Sequence, residues 1–318
     1  VKKYTDRKEA LEAVTKNASN LQYVSEELQN DKEFILEAAQ SNGSVVLHIP
    51  VSNNLRRDND ILLAAIDQKP NLLRVIDHRL NNDNVALDNN KEAVLIAVRK
   101  VPYLLEYASG RLKNDREVVL EAIERNGLVL ERASEEMRND RDIVYAAVSE
   151  NCKALQFASD RLQDDKEIVF EAVKDNGYNL EFASERLQAD RDIVLTAVCA
   201  NGAALQYASD KLKDDKEIVL AAVHDGGYPL KYASEELRND KDVVLAAVQQ
   251  NEIALQFVSP ELLNEIDSIG TDKWIKQELE NNKKRFIDLK EAIRQAKELS
   301  RSNTDDRSAT IDNVKFDR

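Results

Sequence analysis

Residues 165–189 read Asp165-Lys166-Glu167-Ile168-Val169-Phe170-Glu171-Ala172-Val173-Lys174-Asp175-Asn176-Gly177-Tyr178-Asn179-Leu180-Glu181-Phe182-Ala183-Ser184-Glu185-Arg186-Leu187-Gln188-Ala189, and at Asp190 the same order begins again. The opening aspartate recurs at Asp115, Asp140, Asp165, Asp190, Asp215 and Asp240, each 25 residues after the last. Going backwards, Asn90-Lys91-Glu92 keeps the phase with Asn in place of Asp, and Asp58, Asp31 and Asp6 open three earlier repeats, with gaps of 32, 27 and 25 residues. A fixed period of this kind is the mark of a stacked array, in which each repeat buries its apolar face against its neighbours.

Each column has a physical reading when counted from the opening residue as position 0. Asp or Asn there is a favoured helix N-cap, and the acid two places on suits the positive end of the helix dipole. Ile168, Val169 and Val173 form the stripe of an amphipathic helix. Position 7 is alanine throughout: Ala13, Ala38, Ala65, Ala97, Ala122, Ala147, Ala172, Ala197, Ala222 and Ala247. A small residue held at one place predicts close backbone approach. Asn126-Gly127, Asn176-Gly177 and Asn201-Gly202 then predict a helix stop in the left-handed conformation. Leu-x-aromatic-Ala-Ser predicts a second helix, with Pro102 and Pro229 tolerated at its start. Ser259-Pro260 reads as an N-cap and first helical residue, so the second helix breaks at the serine column. A helix running through that serine is the rival.

Few glycines (8) and prolines (5), with 33% charged and 5% aromatic residues, argue for helix and against an all-β fold. The expected fold is therefore all-α, a right-handed α-solenoid of about ten short helical hairpins over residues 1–262, irregular at 50–90. A capping or partner helix follows at 263–300 and a polar tail at 301–318. Thr271 to Ser300 reads as one long amphipathic helix anchored by Trp274, with Asn282 interrupting its seam. It serves either as a cap on the last repeat or as a coiled-coil partner for self-association.

A net charge of −14 opposes nucleic acid and anionic lipid, and no apolar run reaches the length of a membrane span. The start lacks a signal-peptide pattern and a Met, which reads as a fragment or a processed chain. Cys152 and Cys199 lie in repeats two apart, too far for a disulfide, which fits a reducing, cytoplasmic setting.

No catalytic motif, metal spacing or cofactor loop stands out, so no catalytic residue, metal or cofactor is expected. His48 falls in the aromatic column and reads as a core substitute. Asn82-Asp83-Asn84 lacks the glycine and terminal glutamate of a calcium loop. Two regions draw a functional reading. One is the column just before the second helix: Tyr103, Leu128, Lys153, Tyr178, Ala203, Tyr228 and Ile253. Its sizes vary while the frame is constant, so either it packs between repeats or it forms a recognition strip. Tyr103, Leu128, Tyr178 and Tyr228 are the candidates for contact with a protein partner. Arg132, which replaces the aromatic of Phe157, Phe182 and Tyr207, joins them. The other region is the insertion between Asp58 and Asn90, with His78 and Asp83 as a candidate loop site.

The pattern L-x-[YF]-A-S-x-x-L-x-x-D-[KR]-[ED]-[IV]-V-L-x-A-V resembles tandem repeats of a domain of unknown function, found in proteins of intracellular bacterial pathogens, secreted effectors among them, and of protists. The resemblance covers roughly residues 6–262 and is strongest from Asn90 to Leu262. It is specific as a repeat and carries no catalytic motif. HEAT-like and TPR-like arrays are looser relatives with longer units. The resemblance implies a non-enzymatic binding scaffold or targeting module, working in the host cytosol if the protein is a secreted effector. An enzyme with its site near His78 and Asp83, or outside these residues, is the rival.

Overall fold

The computed structural model describes residues 3–50, 52–75, 90–280 and 293–295. His78 and Asp83 lie outside them, as does most of the 271–300 segment. The described residues are all-α, and their only β-type pairing is an isolated bridge between Tyr4 and Val24. Contacts group the chain into two compact units, Val1–Phe157 and Ala158–Arg318.

The repeat that opens at Asp165 shows how the sequence writes the structure. The Asp165 carboxylate accepts the N–H groups of Glu167 (3.0 Å) and Ile168 (3.2 Å), starting the α-helix Lys166–Asp175. Such a cap contributes ~1 kcal/mol. Ile168, Val169, Ala172 and Val173 point inward and are fully buried. Asn176 then has two roles. Its own N–H donates to the Ala172 carbonyl, and its side-chain oxygen accepts from the Tyr178 N–H at 3.1 Å. One residue thus ends the first helix and starts the next segment, Gly177–Phe182. The Ser184 hydroxyl accepts from the Leu187 N–H at 3.3 Å and starts a separate α-turn, Glu185–Gln188.

Three sequence expectations are corrected here. The second element is a 3-10 helix, not an α-helix, although it does break at the serine column as expected, with a separate turn after it. Asn126, Asn176 and Asn201 sit in extended backbone at φ −165°, −147° and −155°, so left-handed geometry does not stop the first helix. The glycine after each asparagine is there for space. A β-carbon on Gly177 would overlap the Ala197 carbonyl oxygen of the following repeat, and Gly127 meets Ala147 in the same way. His48, finally, is exposed rather than in the core, because its column is only half-buried even where it holds aromatics.

In the Ala158–Arg318 unit the helices Lys166–Asp175, Arg191–Ala200, Lys216–Val223 and Lys241–Gln250 pack each on the next, and the 3-10 segments do likewise. The serine N–H of each short turn donates to the turn before it: Ser184 to Gln163 O (2.9 Å), Ser209 to Gln188 O (2.9 Å) and Ser259 to Arg238 O (3.0 Å). A row of ion pairs runs along the helix starts, from the base at position 1 of one repeat to the acids at positions 0 and 2 of the next. Lys166 reaches Asp190 (2.8 Å) and Asp192 (3.2 Å), and Lys216 reaches Asp240 and Asp242, both at 2.8 Å.

The Val1–Phe157 unit uses the same contacts, with Lys91 on Asp115 (2.9 Å) and Glu117 (2.7 Å). Helix Asn59–Gln68 packs directly on Lys91–Lys100, so the insertion between them leaves the stacking intact. The base and acid columns change together at this step: Asn59 replaces the base, Asn90 replaces the acid, and an amide–amide hydrogen bond of 2.7 Å joins them.

At the far end the serine-capped turn lengthens into Pro260–Ile269, with Pro260 in the first turn. Gly270, at φ 85°, breaks it before helical residues 271–280, and Trp274 is fully buried.

Candidate interaction surface

A 3-10 helix has three residues per turn, so residues three apart eclipse one another. In Gly177–Phe182 and its relatives this sorts the columns into faces. Positions 12 and 15 (Gly177 and Leu180, Gly202 and Leu205) face inward and are buried. Positions 13 and 16 (Tyr178 and Glu181, Tyr228 and Lys231) face outward and are exposed. Position 17, the aromatic, is half-buried between the two faces.

The large hydrophobic side chains exposed among the described residues are Tyr103 (44%), Tyr178 (41%), Tyr228 (43%) and Ile253 (51%). All four occupy position 13. Exposure of this kind is thus confined to one column of the repeat.

In the Ala158–Arg318 unit these rings do not stand alone. Tyr178 lies edge-on to Tyr207, the position-17 aromatic of the next repeat, with centroids 6.4 Å apart. Tyr228 lies edge-on to Tyr232 (5.9 Å) and to Phe257 (5.4 Å). The Lys231 ammonium stands 5.7 Å from the centre of the Tyr228 ring and 5.8 Å from that of Tyr232. The Tyr207 hydroxyl donates to the Glu181 carboxylate at 3.2 Å. Burial and that carboxylate push the Tyr207 phenol above its ordinary value. Two of the expected contact residues, Tyr178 and Tyr228, therefore belong to an aromatic layer that also holds Tyr207, Tyr232 and Phe257. The position-17 column was visible in the sequence, but an α-helical reading assigns it to the core. Three residues per turn bring it to the surface.

In the Val1–Phe157 unit the segments Pro102–Tyr107 and Gly127–Arg132 pack together. Tyr103 is exposed, Leu128 half-buried. Arg132 is half-buried, with its guanidinium 3.6 Å from both Glu106 and Glu131. Its Nε is buried without a hydrogen-bond partner. A cation also meets this layer at Tyr107, where the Arg74 guanidinium stands 5.8 Å from the ring centre.

Among the described residues no group of three or more His, Cys, Asp or Glu side chains is placed to hold a metal ion, and no helix is long and apolar enough to cross a membrane.

The repeats, their caps and their stacking define a tandem helical-repeat protein. The family described as Domain of unknown function (DUF4116) matches residues 6–52, 90–138, 140–188, 190–236 and 222–263, more than half of the chain, and the chain belongs to it. Three of the matches begin 50 residues apart, so the family unit spans two of the 25-residue repeats. The unmatched stretch at 53–89 holds the irregular step between Asp58 and Asn90. No curated protein and no solved structure matches the chain.

Proposed function

We propose that this chain is a non-enzymatic protein-binding scaffold whose repeats form a right-handed α-solenoid of about ten units. Inside each compact unit, the regular packing of helix on helix and of 3-10 segment on 3-10 segment supports the solenoid reading. One observation carries the binding reading: the exposed large hydrophobics of the described residues all fall in position 13. Scattered exposed apolar residues are ordinary, whereas apolar side chains gathered on a rigid surface mark interaction sites. Aromatic anchors on a frame that is already ordered bind with little entropic loss.

The contact residues of this reading are Tyr178 and Tyr228 in one compact unit, and Tyr103, Leu128 and Arg132 in the other. The resemblance to repeats of secreted bacterial effectors supports a host cytosolic protein as the partner. The test is affinity capture from a host-cell lysate with the wild-type chain and a Tyr103→Ala, Tyr178→Ala, Tyr228→Ala variant. A partner held by the wild type and lost by the folded variant supports the reading. Equal capture by both overturns it.

A further inference from the structure

We propose that the aromatic layer of the Ala158–Arg318 unit binds a proline-rich protein segment in the polyproline II conformation, with basic residues beside the prolines. The proposal rests on the scaffold reading and names the class of its partner.

The first argument is spacing. Successive repeats in this unit are related by packed helices, and packed helices lie ~8–10 Å apart. A polyproline II helix rises ~3.1 Å per residue with three residues per turn, so it repeats every ~9 Å. One turn of such a segment therefore advances about one repeat of this layer. An α-helix, with a pitch of ~5.4 Å, does not match that step.

The second argument is shape. Tyr228 stands edge-on between Tyr232 and Phe257, and Tyr178 stands edge-on to Tyr207. Tyr178 and Tyr228 each keep part of the ring open to solvent beside these neighbours. Flat, rigid proline rings pack on exposed aromatic side chains, and the segment that carries them is already extended, so little ordering opposes binding.

The third argument is charge. The charged residues in the 3-10 segments of this layer are Glu181, Lys231 and Glu252; just before two of those segments, Lys174 and the exposed Asp175 end one helix, and the exposed Asp225 lies in the turn after another, accepting the Gly202 N–H. Carboxylates outnumber ammonium groups among these residues, on a chain of net charge −14. The protein itself shows how a cation sits here. Lys231 stands over the faces of Tyr228 and Tyr232, and in the other unit Arg132 takes the place of Tyr207 and approaches the counterpart of Glu181, Glu106. An arginine or lysine from a partner can pair with the Glu181 carboxylate, beside the Tyr178 and Tyr207 rings, which carry no cation of the chain's own among the described residues.

The test uses the full chain and a fluorescein-labelled decaproline peptide ending in two arginines, followed by fluorescence anisotropy. Ten prolines span ~31 Å, about three repeats. Saturable binding is expected, weakened at least tenfold by Tyr178→Ala combined with Tyr228→Ala. A peptide ending in two glutamates should bind several-fold more weakly, and Glu181→Gln, which keeps the acceptor for Tyr207, should narrow that gap. Absence of binding, or binding indifferent to the tyrosine pair, overturns the proposal. If the tyrosines instead bind an amphipathic helical peptide, or a second copy of the chain seen by sedimentation, the polyproline assignment fails while the scaffold reading stands. If a captured partner ignores the tyrosines altogether, both fail.

Discussion

The carbonyl oxygen of Ala197 lies against the α-carbon of Gly177, in the space that a β-carbon on Gly177 would need. The same meeting recurs between Gly202 and Ala222 and between Gly227 and Ala247. It joins two columns that look unrelated in sequence, the invariant alanine of one repeat and the glycine of the repeat before it. Both are small because one backbone rests on the other. Ala18, Pro102, Cys152 and Glu252 occupy the glycine column elsewhere, so the repeat admits a side chain at some steps and not at those where the backbones meet this closely.

Gly177→Ala is therefore expected to destabilise the protein by about 1–3 kcal/mol, the usual range for overpacking a dense contact. Ala172→Leu and Ala197→Leu should do at least as much. Gly110→Ala is the control. Gly110 opens the short turn Gly110–Lys113, and the place a β-carbon would take there has no neighbouring atom within 4 Å, so alanine should be neutral or stabilise by about 0.4–1 kcal/mol. Thermal melts that move together for Gly177→Ala and Gly110→Ala would refute this account of the glycine column.

The ion-pair row sets a pH window. Burial pushes the Asp190 carboxyl up, but the Lys166 ammonium and the N–H of Ile193 outweigh it and hold the carboxyl below the ordinary 3.8. Asp58 and Asp115 are lowered in the same way by Lys32 and Lys91. A carboxyl depressed in the folded state adds stability that is full above its unfolded value and is lost as pH falls through the folded one. The lysines run the other way. Lys166, raised above 10.5 chiefly by Asp190, adds stability below that value and loses it as pH climbs through its raised one. Urea midpoints should thus be level through neutral pH and decline at both ends, first below about 4 on the acid side. Lys166→Met should flatten part of the acid decline while costing no more than about 1 kcal/mol at neutral pH, since pairs this exposed are weak. An acid limb unchanged in Lys166→Met would remove the pair from the explanation.

What the sequence disclosed follows from which residues have only one structural use. Asp at position 0 caps its helix where the pattern assigns it, Ser at position 19 does so at Ser134, Ser184, Ser234 and Ser259, and Pro260 marks its helix start, because capping depends on a side chain and the next three backbone amides alone. Asn176 was harder. Its backbone N–H and its side-chain oxygen serve two helices at once in extended backbone, whereas asparagine beside glycine suggests a left-handed turn. Gly177 answers to an atom 20 residues away, which no local pattern carries. The site was legible in part for a similar reason. Tyr178 and Tyr228 stand out through the variability of their column. Tyr207, Tyr232 and Phe257 hide behind an α-helical periodicity that the 3-10 geometry breaks.

The tyrosine variant should separate folding from binding. Tyr178→Ala removes one edge-on ring contact and Tyr228→Ala removes two, each worth about 0.5–1.5 kcal/mol, while the core beneath stays intact. Circular dichroism should keep its helical shape, with a melting temperature lowered by several degrees, and partner binding should be lost. A variant that unfolds at room temperature would show these rings to be structural, in contradiction to their exposure of 41% and 43%.

Arg132 gives the sharpest contrast between stability and function. Its column otherwise favours aromatics, as at Tyr107, Phe157, Phe182 and Tyr207. Here an arginine lies half-buried, its Nε sealed from water and unbonded, its guanidinium at 3.6 Å from each of two carboxylates. A buried donor left unbonded costs about 1–3 kcal/mol, and the loose, half-exposed pairs with Glu106 and Glu131 return little of it. Arg132→Phe restores the aromatic of the column and removes that donor. It is expected to raise stability by about 1 kcal/mol, as substitutions toward a repeat's own consensus commonly do. If Arg132 is a partner contact, the same substitution weakens binding of the captured partner, and Arg132→Lys, which keeps the charge but not the planar fork, weakens it less. Stability should be read from urea midpoints of the three proteins and affinity from titration with the captured partner. A gain in stability with unchanged affinity would return Arg132 to a tolerated departure from the column. A loss of stability in Arg132→Phe would mean that the two glutamates hold the arginine more firmly than their distances imply.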